Sequence, residues 1–334
     1  MVVMDKFSSS TRERNFLPFN RKVEEKWQGD FTFVQAADTQ FGMQESYIEK
    51  KTRPGWEPEK QWSRQLVQQV NQMRPRPRFL VICGDLLDAW PETQAETRDG
   101  QEKDFKKIFS TLQVPCVCVC GNHDIGNQPS MESVSKYRSS FGDDYFSFWC
   151  GGVYFLVINS QYYEDSTRVP QLAQDQEDWL EGQLMKIRRR KPKHCVIFQH
   201  IPLFLNDPHE DKEYFNFAKD LRQELLDKFY DAGVRHVFSG HYHRNAGGMY
   251  KDLQMVVTSA AGAQLGSDQP GYRVVSVAES RITHEYKTLK SCVSIPAVFA
   301  VLINAYDEQK RRARGNKTGR TVFSPVALPA LRAQ

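Results

Sequence analysis

The chain has 334 residues, of which 40% are hydrophobic, 26% charged and 12% aromatic, enough for one large folded core or two smaller ones. Its formal charge of +4 is uneven, because residues 291–334 hold seven basic against two acidic side chains and leave the first 290 close to neutral. Such a body lacks the basic face that releases counterions from duplex phosphates, so no nucleic-acid partner is expected.

Residues 1–29 read as an N-terminal extension. They lack the apolar stretch and small-residue cleavage site of a signal peptide, and a cytoplasmic protein is the expectation. "FTFVQAA" (31–37) opens a series of mostly unbroken apolar runs, the pattern of strands buried on both faces. Trp62, Leu66 and Val70 then recur every four residues and predict a helix over 59–73. "RFLVICG" (78–84) is the next strand, and Phe105, Ile108, Phe109 and Leu112 mark another helix. In "PCVCVCG" (115–121) Cys116, Cys118 and Cys120 alternate across a strand; without a CxxC spacing they read as small buried hydrophobes in a reducing compartment.

"VYFLVINS" (153–160) is followed by a helical stripe of Leu180, Leu184 and Ile187, then by "HCVIFQ" (194–199). Leu221, Leu225 and Phe229 form a further stripe that Gly233 closes as a C-cap. "HVFSG" (236–240) and "LQMVVTSA" (253–260) complete the strands, while 90–100, 162–176 and 205–213 read as surface loops. Periodicity fades after about residue 290, and 291–334 is read as a basic, poorly ordered tail. No apolar run is long enough to span a bilayer; the longest is "IPAVFAVLI" at 295–303. Alternating strands and helices over 30–290 imply an α/β layered domain.

The strand ends carry the chemistry. The first run ends in Asp38, followed by Thr39 and Gln40; the second ends in Asp85; the third runs into Asn122, His123 and Asp124. "IFQH" ends in His200, and "FSGHYH" in His241 and His243. The carboxyl edge of an α/β sheet is where ligands bind. Carboxylates, an amide and imidazoles without a thiolate suit Mn, Fe, Zn or Mg. Seven candidate ligands exceed what one ion takes, whereas two cations about 3.5–4 Å apart, sharing a carboxylate, fit the number. Such a pair clamps a phosphoryl oxygen and ionises a bridging water for in-line attack on phosphorus.

The order of "ADTQFG", "CGDLLD", "CGNHDIGN", "FQHIP" and "SGHYHRNAGG" resembles the calcineurin-like metallophosphoesterase superfamily. The resemblance covers roughly 30–290 and implies a four-layer α/β/β/α sandwich, a dinuclear centre and phosphoric ester hydrolysis. It further implies that Asp38 and His243 serve a first metal, that Asp85 bridges, and that Asn122, His200 and His241 serve a second. His123 matches the family's general acid, with Asp88 or Asp124 orienting it; Asp88 read alone is also a helix N-cap, and Asp124 a turn residue. Arg244, beside the histidine pair, could meet a substrate phosphate or form a surface ion pair. Where most of the superfamily has histidine, this chain has Gln40, which either offers a carbonyl oxygen to the first metal or hydrogen-bonds Asp38 or a water. The expected activity is hydrolysis of phosphoserine or phosphothreonine monoesters in a phosphoprotein. A nucleotide or lipid phosphodiesterase and a scaffold with weakened catalysis are the alternatives. The sequence sets no oligomeric state.

Overall fold

A computed structural model of the chain describes residues 10–289. The basic segment 291–334, with the seventh cysteine, Cys292, lies outside the described residues. In chain order the strands are β1 (Thr11–Arg12), β2 (Asn15–Phe16), β3 (Phe31–Ala36), β4 (Leu80–Cys83), β5 (Cys116–Val119), β6 (Phe146–Cys150) and β7 (Val153–Val157). They continue with β8 (His194–Phe198), β9 (His236–Ser239), β10 (Ala246–Tyr250), β11 (Leu253–Val257), β12 (Gly271–Val277) and β13 (Ile282–Thr288). The helices are α1 (Arg21–Glu24), α2 (Glu57–Gln72), α3 (Ala95–Phe109), α4 (Asn122–Ile125), α5 (Met131–Phe141), α6 (Gln161–Glu164), α7 (Pro170–Arg190) and α8 (Lys219–Ala232).

Among the described residues the strands form two sheets, ordered β1-β2-β6-β7-β8-β9-β11-β10 and β13-β12-β3-β4-β5. Each sheet has a parallel centre, β7-β8-β9-β11 in one and β3-β4-β5 in the other. All seven strands read from the sequence belong to these two centres, because a strand covered on both faces must be apolar throughout.

Alternation along β3 assigns the two faces. Val34 joins Leu80, Ile82, Leu66, Phe105 and Tyr137 in one core, so α2, α3 and α5 cover that side of the smaller sheet. Phe33, on the opposite face, joins Val81 and Val117 against Phe148, Phe155, Phe198 and Phe238 of the larger sheet. That sheet's other face packs Leu156, Ile197 and Val237 on Leu180, Leu184, Leu225 and Phe229 of α7 and α8. Three cores thus succeed one another between helices, sheet, sheet and helices.

Several elements depart from the sequence reading. Residues 10–29 are not a separate extension, since β1 and β2 join the larger sheet and Phe16 is buried against Phe146 and Phe148. Two expected loops are partly helical: α3 starts at Ala95, and Pro170, which reads as a loop signal, begins α7 where its missing N–H costs no bond. β12 and β13 went unread because neither contains a long apolar run: polar residues interrupt the largely buried β12, and β13 is mostly exposed. Gly233 does cap α8, in the left-handed conformation with its N–H on the Phe229 and Tyr230 carbonyls. None of the described helices is long and apolar enough to cross a membrane.

Phe33 is the hub of the inter-sheet core, stacked on Phe79 at 4.8 Å and edge-on to Phe155, Phe198 and Phe238. Phe33→Ala should cost about 3–5 kcal/mol of stability. Urea denaturation checks this, and a loss below about 1 kcal/mol would mean that the two sheets do not depend on this contact.

Candidate metal centre

The parallel centres end at one edge, and there the chain repeatedly turns through the left-handed region. Asp38 (φ 51°), Gln40 (31°), Asp85 (48°), His241 (68°) and His243 (49°) are half of the ten non-glycine residues with positive φ among those described. Such conformations cost roughly 1–3 kcal/mol each and persist where the surroundings enforce them. Glycine makes room between the turns. A Cβ on Gly84 would lie 2.2 Å from the His200 ring, and one on Gly121 would lie 2.2 Å from the Asp85 carboxylate. The glycines before Asp85 and Asn122 are therefore the space that a candidate ligand from another strand occupies.

Asp38, Asp85, Asn122, His200, His241 and His243 are all buried. Donor atoms of Asp38, Asp85 and His243 lie within 4.8 Å of one another, and so do those of Asp85, His200 and His241. The two groups share Asp85. Asn122 joins the second, with its Oδ1 3.1 Å from His200 Nε2, itself 3.3 Å from Asp85 Oδ2.

One nitrogen of each imidazole faces a backbone carbonyl: His200 Nδ1 to Cys83 at 2.9 Å, His243 Nδ1 to Ala263 at 2.6 Å, and His241 Nε2 to Tyr214 at 3.4 Å. A carbonyl only accepts, so that nitrogen carries the proton and the other is left as a lone-pair donor. The freed Nε2 of His243 stands 3.4 Å from Asp38. Metal-ligating histidines are commonly oriented by such a carbonyl on the other ring nitrogen, and the donor set fits two divalent cations.

Charge balance points the same way. Burial acts to raise the Asp85 carboxyl, but the His200 and His123 charges outweigh it and hold the group well below the usual carboxylate range. Burial acts to lower His200, yet Asp85 and Asp38 push it up to about 9, and Asp38 likewise raises His243 against its burial. His241 is driven down by burial and by the neighbouring His200 charge. The carboxylates thus supply negative potential that the histidines compete to neutralise.

Gln40 does not touch Asp38. Its side-chain amide lies 3.1 Å from Asp88 Oδ1, and since a carboxylate can only accept, the nitrogen must face Asp88. The carbonyl oxygen Oε1 is left buried without a hydrogen-bond partner among the described residues, as a ligand oxygen would be.

His123 lies half-open beside this cluster. Its backbone N–H donates to Asp85 Oδ1 at 2.9 Å, and its Nδ1 donates to the Asp88 carbonyl at 2.7 Å, with the Asp88 carboxylate 3.7 Å away. Of the two carboxylates expected to orient it, Asp88 therefore faces the ring and Asp124 does not. The Asp124 carboxylate is spent on the Leu86 and Gly121 N–H groups, tying two strand-end loops together. Nor is Asp88 a helix N-cap, since α3 begins seven residues later at Ala95. Arg244 donates to the Leu265 carbonyl and lies over the Tyr242 ring at 4.8 Å.

Sequence reasoning missed three contributors. Trp90 lies against His123 with ring centroids 4.2 Å apart. Buried Arg98 on α3 donates to the Ala89, His123 and Asp124 carbonyls. Tyr214 packs on His241, and the Asn122 amide donates to its hydroxyl at 3.4 Å. Trp90, two residues beyond Asp88, was the nearest to a readable signal.

Residues 31–245 match the family described as calcineurin-like phosphoesterase. The chain belongs to that family. This phosphoesterase is 47% identical over 283 residues to the serine/threonine-protein phosphatase CPPED1 of Bos taurus, covering 83% of the chain and 90% of the relative. It is equally 47% identical over 284 residues to CPPED1 of Homo sapiens, with the same coverage. A dimetal phosphatase structure from Danio rerio shares the fold at a TM-score of 0.56 and 16% identity, covering 77% of this chain and 99% of that one.

The shared Asp85 makes a stoichiometric prediction. Mass-spectrometric metal analysis after Mn²⁺ loading should find two ions in the wild type, one in His243→Ala and fewer than one in Asp85→Asn. Loss of an Asn122, His200 or His241 donor should spare the Asp38 side. Equal occupancy in all variants would show that these residues do not form two linked sites.

Proposed function

We propose that the chain is a dinuclear-metal-dependent phosphatase acting on phosphoserine and phosphothreonine monoesters in proteins, with His123 as general acid. The observation that carries the reading is the pair of donor groups joined through Asp85, with the His123 imidazole fixed at its rim. The substrate class rests on the relatives named serine/threonine-protein phosphatase. Two divalent cations bound here supply the Lewis acidity that polarises a phosphoryl oxygen and ionises a water near neutral pH.

The protein's own groups do the rest. Asp38, Asp85 and His243 would hold one cation, with the unpartnered Gln40 Oε1 as a candidate further oxygen. Asp85, Asn122, His200 and His241 hold the other. The first set is richer in oxygen and the second in nitrogen, which favours Mn or Mg in the first and Zn or Fe in the second.

His123 is built to deliver a proton. The Asp88 carbonyl keeps a hydrogen on Nδ1 throughout, so the proton that moves is the one on Nε2. When the ring is doubly protonated, the Asp88 carboxylate 3.7 Å away offsets its charge. After transfer to the departing serine or threonine oxygen, the ring relaxes to the neutral tautomer that the carbonyl already selects. Trp90 restricts its rotation.

His123→Ala should lower kcat on a phosphoserine peptide by about 10²–10⁴-fold while both metals remain bound. The loss should be much smaller on p-nitrophenyl phosphate, whose leaving group departs as the anion without help. Equal losses on the two substrates would remove His123 from the general-acid role. Chelation should abolish both activities and Mn²⁺ should restore them, with p-nitrophenyl phosphate turned over faster than its bis-ester. Activity that survives chelation, or a preference for the bis-ester, would defeat the proposed function.

A further inference from the structure

The sequence offered Arg244 as a contact for the substrate phosphate, but the structure engages that guanidinium with the Leu265 carbonyl and the Tyr242 ring. A different polar group stands at the rim of the second donor set. Tyr214 is 59% exposed, yet its ring packs on the buried His241 with centroids 5.1 Å apart, and its hydroxyl lies 3.4 Å from Asn122 Nδ2. The residue spans the boundary between ligand shell and solvent, where a phosphomonoester must enter.

The loop that delivers Tyr214 is wired from within. Glu210 accepts from the Leu205, Asn206 and Asp207 N–H groups and from Asn216 Nδ2, at 2.6–3.1 Å. Arg222, buried on α8, donates to the Pro208, Glu210 and Phe217 carbonyls at 2.6–3.1 Å. A carboxylate and a guanidinium committed to backbone groups hold 205–217 to one shape. That gives the Tyr214 side chain a fixed origin, as pre-organised recognition requires.

Hydrogen-bond direction decides what the hydroxyl can do. Asn122 Nδ2 is a donor to the phenolic oxygen. An amide nitrogen only donates, so the phenolic oxygen accepts there and its own proton remains to be given. We propose that Tyr214 donates its phenolic hydrogen bond to a non-bridging oxygen of the bound phosphomonoester, making it a substrate-binding residue. The inference rests on the phosphatase reading above and adds a contact to it. A hydrogen bond to a charged oxygen contributes about 1.5–3 kcal/mol, and 1.4 kcal/mol corresponds to tenfold in affinity.

The test compares Tyr214→Phe with Tyr214→Ala in the full, Mn²⁺-loaded protein. Readouts are KM and kcat for a phosphoserine peptide, calorimetric binding of inorganic phosphate, and metal content. Tyr214→Phe keeps the ring against His241 and removes only the donor. It should weaken phosphate binding and raise KM by about tenfold or more, with two metals retained and kcat within about threefold. Tyr214→Ala should show the same loss, with reduced metal content as His241 and Asn122 lose their cover. Unchanged phosphate binding in Tyr214→Phe would overturn the proposal even if the wild type is an active phosphatase. Metal loss in Tyr214→Phe would overturn it too, by showing that the hydroxyl serves Asn122 alone. If the wild type hydrolyses no phosphomonoester yet binds phosphate in a Tyr214-dependent way, the contact stands and the proposed function falls.

Discussion

The structure turns on one buried carboxylate. Asp85 leaves β4 in the left-handed region, out of water, with imidazoles from two other strands and a second carboxylate within reach. Concentrating like charges in a low-dielectric interior is costly unless each is paired. The chain meets that cost partly with backbone N–H groups from other loops. His123 N–H reaches Asp85, His241 N–H reaches both oxygens of Asp38, and Leu86 and Gly121 N–H reach Asp124. His123, His241 and Leu86 thus each satisfy a carboxylate belonging to another strand-end loop, while Gly121 satisfies Asp124 within its own. Two cations held by these donors would complete the neutralisation.

This mutual dependence explains which parts of the molecule could be read in advance. The parallel strands were legible because burial on both faces leaves a local mark, an unbroken apolar run, and their terminal polar residues stood out against it. β1, β2, β12 and β13 left no such mark: two are only two residues long, β12 is interrupted by polar residues, and β13 is mostly exposed. The candidate ligands were read from residue type and order. The orienter of His123 could not, because Asp88 and Asp124 differ in what lies opposite them after folding, and only the position of the Leu86 and Gly121 amides commits Asp124 elsewhere.

The same distinction separates Tyr214 from the ligands. Nothing within 205–217 announces that it folds back over His241, since the information lies in Glu210 and Arg222 binding backbone atoms rather than in any local motif. Sequence periodicity reports on faces of regular elements. It is blind to a charged pair whose only targets are carbonyls and amides of a loop. Functional side chains placed by such loops are legible only once the loop's internal hydrogen bonds are known.

Gln40 shows how a change of one residue type can preserve a connection while altering its character. The amide nitrogen holds Asp88 Oδ1, Ser46 Oγ holds Oδ2 at 2.8 Å, and the Asp88 carbonyl holds His123. The Gln40 side chain thus reaches His123 through Asp88, and its buried carbonyl oxygen is left without a hydrogen-bond partner among the described residues. A histidine there would add a fourth titratable imidazole to a cluster in which His200 and His243 are pushed up and His241 down by their neighbours. Its contact with Asp88 would then strengthen or weaken with its own protonation. An amide cannot titrate. Its contact with Asp88 therefore does not vary with any protonation of residue 40.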